Sequence, residues 1–213
     1  GRADGTAPDD RGAGAYVAGA VRFRQCTFTG HSASRGAGLW AGEGGEPNLR
    51  RCVFSGNRAG GDGGGAAVDN ATLIMNQCTL MENTAGNRGG GAAVSAGAAF
   101  LGNCIFQGNA AATGGGLATT GGEVRAANGV FSGNRAETAG AIDAGGWMLG
   151  LANCALAGNA ATGAVGGLRV TAGTASLANS ILWASRDAGG TGEPAQVTVT
   201  GATLAIAYCD VQG

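Results

Sequence analysis

One short phrase returns along this chain at a nearly constant interval, and that interval limits what the chain can fold into. It reads Cys26-Thr-Phe28-Thr-Gly-His31, then Cys52-Val-Phe54-Ser-Gly-Asn57 and Cys78-Thr-Leu80-Met-Glu-Asn83. It returns as Cys104-Ile-Phe106-Gln-Gly-Asn109, Gly129-Val-Phe131-Ser-Gly-Asn134 and Cys154-Ala-Leu156-Ala-Gly-Asn159. Two weaker copies come last, Ser180-Ile-Leu182-Trp-Ala-Ser185 and Cys209-Asp-Val211. The first positions are separated by 26, 26, 26, 25, 25, 26 and 29 residues. The long final step coincides with a turn-rich insertion, Asp187-Ala-Gly-Gly-Thr-Gly-Glu-Pro194. A period of this length means one small unit that cannot bury its apolar face alone and stacks on its neighbours to do so.

Each unit reads as strands. An apolar pair precedes each phrase by five and three residues: Val21/Phe23, Pro47/Leu49, Leu73/Met75, Ala99/Leu101, Val124/Ala126, Leu149/Leu151, Ala175/Leu177 and Leu204/Ile206. A spacing of two puts both side chains on one face of a strand. The phrase holds a second such pair, as in Cys52 and Phe54, and the step of three between pairs requires a bend. A glycine-rich corner comes next, as in Gly63-Gly-Gly65-Ala66 and Gly114-Gly-Gly116-Leu117. Glycine there permits unusual φ values and close backbone approach. A third strand then runs through Leu39, Val68, Val94, Leu117, Ile142 or Val170.

These observations predict an all-β fold, a right-handed single-stranded parallel β-helix of about eight coils of 25–26 residues. Each coil has three short strands, and one domain spans 1–213 with an irregular start over 1–11. At one inter-strand spacing per coil the rod is ~40 Å long. No sustained 3.6-residue period occurs, so essentially no helix is expected. The 45 glycines lack a three-residue period, which excludes collagen. With 5% aromatic residues the core is thin, yet the regular return of large apolar residues excludes low-complexity disorder.

Stacking should align equivalent residues into columns. Phe28, Phe54, Leu80, Phe106, Phe131, Leu156, Leu182 and Val211 form an interior apolar column. Asn57, Asn83, Asn109, Asn134 and Asn159 form a polar one, whose amides can donate and accept along the stack and satisfy corner backbone groups. Cys26, Cys52, Cys78, Cys104 and Cys154 share a slot with Gly129 and Ser180, so small size is its common property. Free, buried thiols are expected. Neighbouring coils lie within disulfide range, which leaves a Cys26–Cys52 or Cys78–Cys104 bridge as the alternative, although parallel side chains make the geometry poor. No CxxC pair and a single His argue against zinc.

The pairing of F-x-x-N with G-G-A-[I/L/V] resembles the repeat of chlamydial polymorphic outer membrane proteins and the wider right-handed parallel β-helix repeat family. Phe54-Ser-Gly-Asn57, Phe106-Gln-Gly-Asn109 and Phe131-Ser-Gly-Asn134 carry the first phrase. Gly115-Gly-Leu117 and Ala139-Gly-Ala-Ile142 carry the second loosely. The resemblance covers nearly the whole chain from about Gly12. It implies a bacterial protein that is secreted or displayed on the cell surface. Similar folds carry polysaccharide lyases and hydrolases, but a fold alone does not transfer an activity.

Candidate chemistry is sparse. Asp69 and Asp143 follow the glycine corner three coils apart, roughly 14 Å, with Ser95 and Ala118 between them. That is too few oxygens for calcium and too far for paired glycosidase carboxylates. Glu43 and Glu46, in one loop, and Asp9 and Asp10 read as solvated acids. His31 stands in the asparagine slot of its coil. Arg22, Arg24, Arg50 and Arg51 make a basic patch on the first two coils, suited to an acidic glycan or lipopolysaccharide or to protecting a sheet edge. Trp40, Trp147 and Trp183 fall in different coils and read as separate packing residues.

No catalytic residue, cofactor or metal ligand is assigned. The expected function is a non-enzymatic extracellular structural or adhesive β-solenoid of a bacterial surface protein, stacking end to end into fibres or meeting surface glycans. The alternative is a carbohydrate-binding or polysaccharide lyase or hydrolase-like module. A net charge of −1 argues against nucleic acid, and no stretch approaches ~18 apolar residues, so no membrane insertion is expected. The start Gly1-Arg2-Ala3-Asp4 lacks a signal-peptide pattern and an initiating Met, so the sequence reads as processed or cut from a longer chain.

Overall fold

Strand-spaced apolar pairs separated by bends give a coil, and coils of equal length can pair strand on strand. The computed structural model describes residues 10–212, so the 1–9 part of the expected irregular start, with Asp9, lies outside the described residues. Three parallel sheets of eight strands run along the rod. The first goes from Ala15–Val17 to Val197–Val199, the second from Ala20–Arg24 to Thr203–Ala207, the third from Thr27–Thr29 to Asp210–Val211. Phe28, Phe54, Leu80, Phe106, Phe131, Leu156, Leu182 and Val211 are register partners in the third sheet. Phe28 stacks on Phe54 at 4.5 Å and Phe106 on Phe131 at 4.7 Å.

The structure departs from three strands per coil. A fourth parallel sheet of six short strands, from Ser32–Ala33 to Ala160–Ala161, comes after the asparagine column. Its inward residues are alanines such as Ala33, Ala59, Ala85 and Ala136. A buried methyl group is too small to mark a core position in a hydrophobic pattern, so this strand is silent in the sequence. The insertion supplies the one regular helix among the described residues, a single turn at Glu193–Gln196.

The first sheet also corrects the expected third strand, whose residues divide between two columns. Leu39, Ala66, Ala92, Leu117, Ile142 and Leu168 share one, while Ala41, Val68, Val94, Thr119, Ala144 and Val170 share the other. Where the first column has alanine, the second has valine. Where the first has leucine or isoleucine, the second has alanine or threonine, except at Leu168/Val170. The pair exchanges volume between its members and keeps the cross-section filled.

The glycine phrase and the F-x-x-N phrase travel together for a steric reason. A Cβ on Gly91 would lie 2.8 Å from the Phe106 ring, 3.2 Å from Asn109 Nδ2 and 2.5 Å from the Gly116 carbonyl oxygen. Gly38 stands in the same relation to Phe54 and Asn57. The fully buried aromatic and amide need a glycine corner beneath them.

Two substitutions separate these effects in urea unfolding. Phe106→Ala should cost about 3–5 kcal/mol through the cavity it leaves. Gly91→Ala should cost about 1–3 kcal/mol through overpacking. A neutral Gly91→Ala would show that the corner has room the distances deny.

Candidate functional site

The asparagine column lies at the turn between the third and fourth sheets, completely buried from Asn57 to Asn159. Each Nδ2 donates to the Oδ1 of the next coil: Asn57 to Asn83 at 2.8 Å, Asn83 to Asn109, Asn109 to Asn134 and Asn134 to Asn159, each at 3.0 Å. The second Nδ2 hydrogen reaches back to the apolar column, as from Asn83 to the Phe54 carbonyl at 3.0 Å and from Asn109 to the Leu80 carbonyl at 2.9 Å. The same Oδ1 atoms accept the backbone N–H of the preceding asparagine at 3.0–3.1 Å. A buried amide with all its bonds made carries no desolvation deficit. His31 opens the column, its backbone N–H donating to Asn57 Oδ1 at 3.0 Å.

The other end has a cap that sequence reasoning missed. Ser185 succeeds Asn159 in the repeat and carries no amide of its own to continue the column. The insertion folds back and places Gln196 there, fully buried. The Ser185 N–H donates to Gln196 Oε1 at 3.1 Å, and Gln196 Nε2 donates to the Ser185 and Thr191 carbonyls, both at 2.8 Å. The only sequence signal was an amide just after an insertion, next to the coil that lacks its asparagine.

The cysteine slot asks for more than small size. Each Sγ donates to the carbonyl two residues earlier, as from Cys26 to Arg24 at 3.4 Å, Cys104 to Gly102 at 3.3 Å and Cys154 to Ala152 at 3.3 Å. Ser180 makes the same bond through Oγ to the Ala178 carbonyl at 2.9 Å. The slot therefore selects a short side chain with a donor, and Gly129 is the exception. All six cysteines are free. Burial pushes the Cys52 and Cys154 thiols up. When Cys78 ionises, the Cys104 thiol can turn its one hydrogen from the Gly102 carbonyl to the Cys78 thiolate, which lowers Cys78 to about 7 and, with burial, raises Cys104.

The residue before each slot, from Gln25, Arg51 and Gln77 to Asn103, Asn128, Asn153, Asn179 and Tyr208, has φ between +50° and +56°. Asparagine tolerates this left-handed region better than most residues. These corner side chains are exposed. Asn128 Nδ2 donates to Asn103 Oδ1, and Asn153 Nδ2 to Asn128 Oδ1, both at 3.2 Å. This second, solvent-facing amide ladder escaped the repeat reading; its sequence signal is an Asn or Gln before most of the slots.

The four arginines share the outer face of the second sheet and its corner. Arg24 and Arg50 are register partners, Arg22 lies opposite Asn48, and all four are exposed. Arg51 Nε donates to Gln77 Oε1 at 3.1 Å. Arg24, Gln25, Arg50 and Arg51 line a concavity of about 130 Å³. None of the four has an ion pair among the described residues; Arg35, Arg125 and Arg169 each have one, with Asp62, Glu123 and Asp143. The next coils continue the same face as a shallow trough of about 520 Å³ with Ile74, Phe100 and Arg125 beside Gly102, Ala127 and Gly150.

The acids do not converge. Asp69 aligns with Ser95 and Thr120, whereas Asp143 aligns with Ala118 and so sits two places earlier in its strand than expected. Asp143 is buried and binds Arg169 Nε at 2.5 Å. Asp10 accepts from Ser34 Oγ at 2.6 Å. Glu46 begins a strand instead of sharing a loop with Glu43. Trp40 is buried against Tyr16 at 4.7 Å, with Arg11 over the ring at 4.9 Å. Trp147 and Trp183 are exposed at 75% and 46%, which corrects their reading as packing residues.

A family model described as the right-handed β-helix region matches residues 8–160. No curated protein and no solved structure matches the chain.

Asn109→Leu should destabilise the protein by roughly 3–5 kcal/mol in urea, since it orphans the Asn83 amide and N–H and the Leu80 carbonyl together. Gln196→Ala should cost less, roughly 1–3 kcal/mol, because only the last rung is lost. A thiol reagent should label the half-buried Cys26 and Cys209 in the native protein and the other four only on unfolding. Cys52 and Cys154 hold their protons more tightly folded than unfolded. They therefore contribute stability at neutral pH that is lost as pH rises above the ordinary thiol value of 9.0. Urea midpoints that stay flat from pH 8 to 10.5 would contradict this.

Proposed function

We propose that this chain, which belongs to the right-handed β-helix family, is a non-enzymatic structural and adhesive rod of a bacterial surface protein, working outside the cell. The observation that carries this reading is how the polar groups are used. Inside, the asparagine amides bond to one another and to backbone. They serve cohesion between coils and offer no reacting group. Outside, the second and third sheets present exposed or half-buried side chains along the rod, a surface for contact. The resemblance of F-x-x-N and G-G-A phrases to chlamydial outer membrane protein repeats supports the cell-surface setting.

Self-association belongs to the same reading. Among the described residues, Ala15–Val17, Ala20–Arg24 and Thr27–Thr29 at one end, and Val197–Val199, Thr203–Ala207 and Asp210–Val211 at the other, pair with a strand on one side only. Val21 and Ile206 are 37% and 44% exposed at those edges. A second copy can add the same parallel hydrogen bonds that join coils within the chain.

Electron microscopy of the purified chain over a concentration series should show filaments about one coil wide. Discrete particles at every concentration would remove the fibre element. Protease accessibility on intact cells should find the chain outside. A lyase and hydrolase screen should find no cleavage; turnover abolished by Asp69→Asn or Glu123→Gln would overturn the non-enzymatic reading.

A further inference from the structure

We infer that the outer face of the second sheet is a binding bed for a linear acidic polysaccharide, with its anionic groups held by Arg24, Arg50 and Arg51. The inference rests on the adhesive reading above and names the ligand class of that surface.

Charge points to an anion. Arg24 and Arg50 are stacked in register on adjoining strands, about 4.8 Å apart at the backbone. Like charges directly opposite each other across a strand pair are unfavourable. Arg51 adds a third guanidinium to the same concavity, anchored through Nε to Gln77 with its terminal nitrogens left over. Elsewhere along the rod this corner is mostly an amide. Edge protection accounts for Arg22 and Arg24, whose strand ends the sheet. It does not account for Arg50, whose strand is paired on both sides. An anionic group bridging the guanidiniums relieves the repulsion and uses their planar donors.

The shape of the adjoining surface points to a polymer of sugar rings. Asn76 is the register partner of Arg50, and the trough begins at that coil. Its floor continues through Gly102, Ala127, Ala152 and Ala178, residues with little or no side chain. From Arg24 to Ala178 the line covers six inter-strand steps, ~29 Å. A flat floor of this length suits ring faces laid end to end. Phe100, 39% exposed, supplies an aromatic surface on one side. The solvent-facing amide ladder of Asn103, Asn128 and Asn153 runs along the corner next in sequence to the floor residues Gly102, Ala127 and Ala152. Each laddered amide retains hydrogen-bonding capacity for hydroxyl groups. A peptide would need pockets for alternate side chains, and a strand cannot add to a sheet through its face. Duplex nucleic acid would need a broad basic field, and the chain's net charge is −1.

The purified full chain should bind polygalacturonate and dextran sulfate but not neutral dextran, with affinity falling as salt is raised. A response to one of the two anionic polymers alone identifies carboxylate or sulfate as the preferred group. The Arg24→Gln, Arg50→Gln, Arg51→Gln triple variant should weaken binding roughly tenfold or more. Ala127→Trp, an exposed substitution on the trough floor, should weaken it without changing the urea midpoint. Arg58→Gln and Arg135→Gln on the fourth sheet, combined with Arg186→Gln at the residue bridged to its last strand, remove the same charge elsewhere and should leave binding intact. Equal loss in the two triple variants, tighter binding to duplex DNA than to either glycan, or no binding to any acidic glycan would overturn the inference. Because these assays use the isolated chain, they can fail while surface exposure on cells is confirmed, and the reverse.

Discussion

The hydrogen bond from one coil to the next is the interaction on which the rest of the molecule depends. In a parallel solenoid no strand pairs with its sequence neighbour, so a coil has no stable state of its own. The backbone ladders supply most of these bonds, and the asparagine column supplies them where the chain turns and backbone pairing would lapse. There one amide satisfies the preceding coil's side chain, its backbone N–H and a carbonyl of the apolar column. Where Ser185 breaks the series, Gln196 restores the acceptor from a different part of the chain. The insertion thus contributes to the interior instead of decorating the surface.

A constant rise of one strand spacing also fixes how much volume each layer can hold. The core tolerates Phe, Leu or Val in one column because neighbouring positions adjust. The glycine corner accommodates the aromatic and the amide of the next coil, and the two columns of the first sheet trade alanine against valine. Layers of equal height and variable chemistry are what allow eight unlike sequences to stack in one register.

The same regularity has consequences outside. A corner repeated in the left-handed region draws asparagine to it, and stacked exposed asparagines become a continuous polar rim. Small residues repeated on the second sheet become a smooth floor. A cluster of arginines that would be scattered on a globular protein becomes a stack, with spacing set by the backbone. Surface features on such a rod are linear by construction, which suits a polymer more than a compact ligand.

The repeat length, the number of coils, the aromatic column and the asparagine column were all legible in the sequence, because each depends on spacing along the chain and on residues too large or too polar to be placed at random. The cysteine slot was legible as small, but its hydrogen bond to the carbonyl two residues back was not, since that carbonyl's position depends on the corner conformation. The fourth sheet was hidden because alanine carries almost no pattern. The division of Leu39 and Val68 between two columns, the offset of Asp143 from Asp69, the Gln196 cap and the trough beside the arginines were decided only by the tertiary structure. Each depends on which residue of one coil meets which residue of the next, some 25 residues away, and that pairing is set by hydrogen bonds between coils that no local periodicity records.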